Sequence, residues 1–166
     1  MSPPATAPLM TPDVAAFIGG GLSITLASCD SRLVPSIAKG VGCRVAEDRS
    51  TLTVFVFAES AEATCRDVAA NGRIAVTFSR PSTHETIQIK GNDARTVPLL
   101  PGDVACVRRN LDRFAEDITP LGWGPDFIDA VFWRDPAELI AIRFTPDGVF
   151  GQTPGPRAGE ALARRA

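Results

Sequence analysis

Few side chains in this sequence can do covalent or acid–base chemistry. Its 166 residues hold one histidine (His84), four cysteines and no tyrosine. A single imidazole excludes any mechanism or metal site that takes two from one chain, and a tyrosine acid or radical is excluded outright. Cys29, Cys43, Cys65 and Cys106 are widely spaced, whereas zinc ribbons and thioredoxin-like centres need close pairs such as C-x-x-C. The thiols are therefore expected to be reduced, partly buried and without a role. Gly19-Gly20-Gly21 lacks the Lys-Ser/Thr that completes a phosphate loop, and it precedes a strand rather than a helix. No serine sits in a G-x-S-x-G elbow. His84 closes the polar loop Arg80-Pro81-Ser82-Thr83 and has three readings. It is an ordinary surface hydrogen-bonding residue, an axial heme ligand (one imidazole suffices), or a group that touches a bound ligand. Trp123, between Gly122 and Gly124, either packs in a core or interface or covers a ligand. No general acid or base is singled out, and no metal site is expected.

The elements that would position these residues follow from period and punctuation. Residues 1–10 carry Pro3, Pro4 and Pro8 without periodicity and read as a flexible arm. Thr11-Pro12-Asp13 opens a short helix, with a threonine cap, proline in the first turn and aspartate at the positive end of the dipole. LSITLA (22–27) alternates apolar and hydroxyl residues, the period-2 mark of a half-buried strand. A second strand spans 33–45, bent or bulged at Gly40 and Gly42. TLTVFVF (51–57) is the strongest strand of the chain, and two hairpins in succession make an antiparallel meander. Ser60 is expected to cap a helix to Ala70 that Asn71-Gly72 ends. RIAVTFS (73–79) and ETIQIK (85–90) return to strand. Val104, Val107, Leu111 and Phe114 form the apolar stripe of a helix over 103–117. A shorter helix over 125–133 and a strand over 138–145 complete a domain of residues 11–150. Residues 151–166, rich in Gly, Pro, Ala and Arg, read as an irregular tail.

About six strands joined by short turns, with interspersed helices, point to a mainly β fold with peripheral helices, an antiparallel barrel rather than a doubly wound sheet. The hydrophobic fraction of 45% and charged fraction of 22% are ordinary for a globular chain. A net charge of −2 argues against a general nucleic-acid binder. No apolar stretch approaches the roughly 20 residues that span a bilayer. The N-terminus lacks the basic and apolar regions of a secretion signal. A cytoplasmic protein, with neither nucleic acid nor membrane as partner, is expected.

The order of these segments resembles the pyridoxamine 5'-phosphate oxidase-like, FMN-binding split β-barrel family. The matching features are a short helix before LSITLAS with Pro35 in the next strand, the helix–Asn-Gly-Arg–strand unit ATCRDVAANGRIAVTFS, the strand ETIQIKG ending in glycine, and the tail FGQTPGPRAG, which is like one seen in a branch of such proteins. Together they span about residues 13–160. The resemblance implies a split antiparallel β-barrel, a homodimer, and FMN held in clefts between the subunits of an oxidoreductase-like protein acting on a small molecule. It also implies sites. Ser36 and Lys39 on the second strand, with Ser60, Thr64 and Arg66 at the helix after the third, would meet the FMN phosphate. Thr86 and Gln88 on the fifth strand would lie near the flavin ring, with His84 and Trp123 beside the ligand. Two departures stand against this. Thr64 occupies a position where relatives often carry lysine, and Glu59 and Glu62 would repel a phosphate. The alternative is a split-barrel homodimer that has lost the FMN phosphate site and acts as a binding or sensing module, with heme on His84 as a variant.

Overall fold

The structure, a computed structural model, describes residues 7–165. The first six residues of the expected arm lie outside the described residues. Its last residue, Met10, is fully buried, and its carbonyl accepts the Arg49 Nε–H at 3.0 Å. Helix α1 (Pro12–Ile18) begins as its sequence dictates: Thr11 Oγ1 accepts the Val14 N–H at 3.2 Å, and Pro12 fills the first turn.

Thirteen regular elements follow one another as α1, β1 (Ser23–Cys29), β2 (Pro35–Val45), β3 (Leu52–Phe57), α2 (Ala58–Asn71), β4 (Ile74–Ser79), β5 (Thr86–Gly91), β6 (Arg95–Val97), α3 (Asp103–Ile118), α4 (Pro125–Phe132), β7 (Leu139–Phe144), β8 (Gly148–Gly151) and β9 (Ala161–Arg164). The strands form one sheet in the order β6-β7-β3-β2-β1-β4-β5-β8-β9, with antiparallel neighbours throughout. The expected meander is its centre. The sheet is open: β6 and β9 are its edges and do not pair with each other. Among the described residues, no helix is long and apolar enough to cross a membrane.

Three strands were not expected from the sequence. β6, β8 and β9 are three or four residues long, too short for alternation to mark them. The last of these corrects the irregular tail. Gly159 N–H bonds to the Gly151 carbonyl at 2.7 Å, and Gly151 N–H to the Glu160 carbonyl at 2.9 Å. These bonds turn the chain back so that 161–164 lies along β8.

Strand patterns track burial on the two faces. β1 alternates half-buried and buried positions, so one of its faces meets the core. Ile24 and Leu26 stand in rows with Phe78 and Val76, inside a core that α1 and α2 close with Val14, Ile18, Ala61 and Val68. β3 is buried at every position, which explains its unbroken apolar run. Val54 and Val56 face the first core, while Phe55 and Phe57 face a second core built with Val107, Leu111 and Phe114 of α3 and Ile128 of α4. The α3 stripe is narrower than expected at its start: Val104 is exposed, and Asn110, Ala115 and Ile118 complete the buried side.

The expected bulge in β2 lies between Gly40 and Gly42, and α3 rests on it. A Cβ on Gly42 would stand 3.2 Å from the Val107 Cα, so a larger residue would press helix and strand apart by a few tenths of an ångström. The bulge also frees the Val41 carbonyl, which accepts the Asn110 Nδ2–H at 3.0 Å. α2 starts directly from β3 with Phe57 at the cap position and no side-chain cap. Ser60 is therefore not the cap. It lies inside the first turn and donates to the Phe57 carbonyl at 3.1 Å. Gly72 ends α2 in the left-handed conformation, φ +68°, as the Asn-Gly pair predicts.

Candidate functional site

The outer face of β1, β2, β4 and β5 beyond α3 and α4 is a grid of directly paired side chains. One row runs Lys39, Thr25, Thr77, Gln88, Phe150; the next runs Ile37, Ala27, Ala75, Lys90, Gly148, Arg164. Both rows are dominated by small and polar residues, with cations near the ends.

The sequence-predicted residues divide between places on this framework. Lys39 and Gln88 share a row but stand three strands apart, about 14 Å at ordinary strand spacing. Gln88 Nε2 donates to Thr77 Oγ1 at 3.3 Å, and Thr86 shares a 2.9 Å hydrogen bond with Ser79 across the same strand pair. Ser36 is three residues from Lys39, and an odd spacing on a strand puts it on the opposite face. There it pairs with Ser28, whose hydroxyl donates to the buried Asp67 at 2.8 Å. Thr64 is 1% exposed, and its Oγ1 has no hydrogen-bond partner among the described residues. Arg66 is exposed and reaches Glu62 at 3.8 Å, one helical turn away. His84 is exposed in a turn at φ +61°. Trp123 is half exposed and stacks on Phe127, ring centroids 4.5 Å apart. Of the nine, Thr86 lines a cavity of about 340 Å³, and Lys39 and Ser60 line a separate one, of about 180 Å³, together with Phe57, Glu59, Phe132 and Arg134.

That cavity tests whether the residues suit a flavin phosphate. Lys39 Nζ donates to Ser23 Oγ at 2.6 Å and lies 5.4 Å from the Phe132 ring centroid and 5.9 Å from that of Phe114. Burial lowers its pKa from the ordinary lysine value. Arg134 is exposed and directs Nη1 to the carbonyls of Trp133 (2.7 Å) and Ala130 (3.3 Å). The Glu59 carboxylate adds negative charge at the wall. Cofactor pockets run from about 300 Å³ upward. The expected phosphate set does not fit, because its residues face two sides of the sheet and its one central cation is already enclosed. Lys39 also carries a desolvation cost that an apolar side chain would not. A lysine whose folded-state pKa is lowered weakens the fold, fully below that folded-state value and less and less as pH rises from there to the ordinary lysine value. Lys39→Met is therefore expected to leave the melting temperature at pH 7 unchanged or higher, within about 1 kcal/mol, read by thermal denaturation.

A larger cleft, about 890 Å³, opens on the second row. Ala27, Ala75 and Gly148 form its floor, and Arg73, Lys90, Arg164 and Arg165 stand around it. Sequence reasoning missed it because Arg164 and Arg165 lie in the tail read as irregular. The available signal was the alternation of ETIQIK, which puts Lys90 on the face of Thr86 and Gln88. Among the described residues, no group of three or more His, Cys, Asp or Glu side chains could hold a metal ion. The thiols remain free. Cys43 is buried, and burial pushes its pKa up to about 12.

No protein-family model matches the sequence, and no curated protein matches it. Solved structures do. HupZ from Group A Streptococcus is 14% identical, with 90% of this chain and 100% of that one covered, at a TM-score of 0.54. The conserved hypothetical protein Rv2991 from Mycobacterium tuberculosis is 13% identical over 90% of this chain and 89% of that one, at a TM-score of 0.53. A pyridoxamine 5'-phosphate oxidase-related, FMN-binding protein from Nostoc punctiforme PCC 73102 matches at 13% identity, 82% and 77% coverage and a TM-score of 0.48. At such identities the first two establish architecture and nothing finer. The chain thus has the fold of HupZ and Rv2991, a mainly antiparallel sheet flanked by helices, in line with the expected mainly β fold with peripheral helices, while the sheet of the described residues is open rather than closed into a barrel.

Proposed function

We propose that this chain is a small-molecule-binding module that works as a homodimer of split barrels, without a flavin phosphate site at Lys39. The observation that carries the reading is the setting of Lys39: its ammonium is bonded to Ser23, lies against Phe114 and Phe132, and faces a cavity of about 180 Å³ that Glu59 also lines. In the FMN reading that the resemblance implies, that cation would meet the phosphate, and Glu59 beside it works against a dianion. A heme reading lacks an enclosing wall at His84, which is exposed and lines neither the Lys39 cavity nor the larger cleft. The homodimer is supported by three apolar side chains at the β1–β2 hairpin. Leu33, Val34 and Ile37 are 68%, 53% and 72% exposed, and they adjoin the small-residue face of the sheet. Contiguous exposed apolar surface of this kind marks protein–protein contact.

Two measurements on the purified full chain test the reading. Light scattering is expected to give twice the 17.6 kDa chain mass, falling to one chain in Ile37→Arg. A fluorescence titration with FMN is expected to show no binding at tens of micromolar. A monomeric wild type, or flavin binding that Lys39→Met abolishes, overturns the proposal.

A further inference from the structure

We infer that the cleft over β1, β4, β5, β8 and β9 is an anion site for a small ligand with two or more phosphate charges. The inference rests on the binding-module reading and names the site and ligand class that reading leaves open. Charge is the first ground. Arg73, Lys90, Arg164 and Arg165 line the cleft against one carboxylate, Asp147. Asp147 is itself occupied, accepting the Asn92 side-chain amide, while its backbone carbonyl takes the Arg165 N–H at 3.0 Å. No ion pair among the described residues uses any of the four cations; the six present employ Arg32, Arg44, Arg66, Arg80 and Arg108. Of the twelve arginines elsewhere, five pair with an acid among the described residues, and the whole chain has a net charge of −2. Four unmatched cations around one concavity in such a protein make a local positive field rather than a generally basic surface.

Geometry is the second ground. Lys90 and Arg164 are the direct neighbours of Gly148 on either side of it in the row. Their Cα atoms are two strand spacings apart, roughly 9–10 Å, and the residue between them has no side chain to fill the gap. The ring of Phe150 lies over Gly148 instead, where a Cβ would stand 2.7 Å from it, so the ring forms part of the cleft wall between the two cations. Arg73 enters just before β4 and Arg165 directly follows Arg164 of β9, so the cations come from three segments. Ala27 and Ala75 continue the row as a flat floor on which a ligand can approach the sheet closely. Phe150 offers a wall for an apolar portion, and Lys90 Nζ already lies 4.9 Å from its ring centroid. Guanidinium forks suit phosphate oxygens, two bonds at a time. An 890 Å³ opening suits a small molecule, and the net negative charge of the chain disfavours a nucleic-acid duplex as occupant.

Inorganic pyrophosphate is the probe, titrated calorimetrically into the full chain at low ionic strength. Saturable binding at sub-millimolar concentration is expected. It should weaken at least about tenfold in Lys90→Gln and in Arg164→Gln, and be unchanged in Lys39→Met and Arg66→Gln. Lys90 and Arg164 are exposed, so unchanged melting temperatures should accompany the losses. No saturation at millimolar pyrophosphate overturns the site, as does equal binding by the Lys90→Gln/Arg164→Gln double variant. A DNA duplex that binds more tightly than pyrophosphate and is lost in the same variants overturns the small-ligand assignment. Failure here is separable from failure of the functional reading: that reading falls on Lys39-dependent FMN binding or a monomeric wild type, neither of which involves these cations.

Discussion

Replacing Phe55 by alanine is expected to destabilise the fold by about 3–5 kcal/mol, the upper range for core truncations. Phe55 is fully buried in β3. In its row it stands between Gly42 of β2 and Ala141 of β7, so one large ring covers two of the smallest residues in the second core. Neither neighbour has atoms to move into the space left by the ring. Val107 cannot settle inward either, because α3 is already in contact with the backbone at Gly42. Poor collapse is what makes a cavity expensive. Against a total stability of roughly 5–15 kcal/mol, the loss should appear as a fall in melting temperature on the order of 10 °C. Phe55→Leu, which keeps part of the volume, should recover about half of it. A loss under 1 kcal/mol in Phe55→Ala would mean that the α3–sheet seam is not packed as described.

Asp103→Ala is expected to cost about 2–4 kcal/mol. The carboxylate is 2% exposed and holds two elements at once. It accepts Arg44 Nε–H of β2 at 2.8 Å, and the Leu100 backbone N–H at 2.8 Å, fixing the approach to α3. Alanine would leave both donors without an acceptor. Arg44 is one third exposed, so water recovers part of the loss and the figure falls below that of a fully buried pair. Asp103→Asn keeps an acceptor for Leu100 and should cost about half as much. Urea denaturation checks both variants: the midpoint should fall at constant m-value. An unchanged midpoint in Asp103→Ala would show that the ion pair contributes nothing to seating α3.

How far the fold could be read from the sequence depended on whether a segment's neighbours are close along the chain. TLTVFVF reads as a strand because burial on both faces leaves no polar position in its centre. The β2 bulge is visible in Gly40 and Gly42, and the end of α2 in Asn71-Gly72. β8 and β9 are invisible because their identity comes from each other: Gly148-Val149-Phe150-Gly151 and Ala-Leu-Ala-Arg become strands only through pairing. The site followed the same division. That Ser36 and Lys39 face opposite sides was readable from their odd spacing. That Phe132 lies over Lys39 was not, since nothing local says where α4 settles. The basic cleft draws Arg73 from just before β4 and Lys90 and Arg164 from β5 and β9, and only the strand order gathers them.

The placement of Arg164 has a consequence for the C-terminal strand. β9 is an edge strand, mostly exposed, tied to the body by its ladder with β8 and by Ala163 packing against the core. A segment with so little burial belongs to the least stable part of a fold, opening and closing without global unfolding. A ligand bridging Lys90 and Arg164 would hold the strand shut, and by thermodynamic reciprocity the closed strand would tighten the ligand by the same factor. β9 would then act as a latch whose closure and the filling of the cleft are one equilibrium.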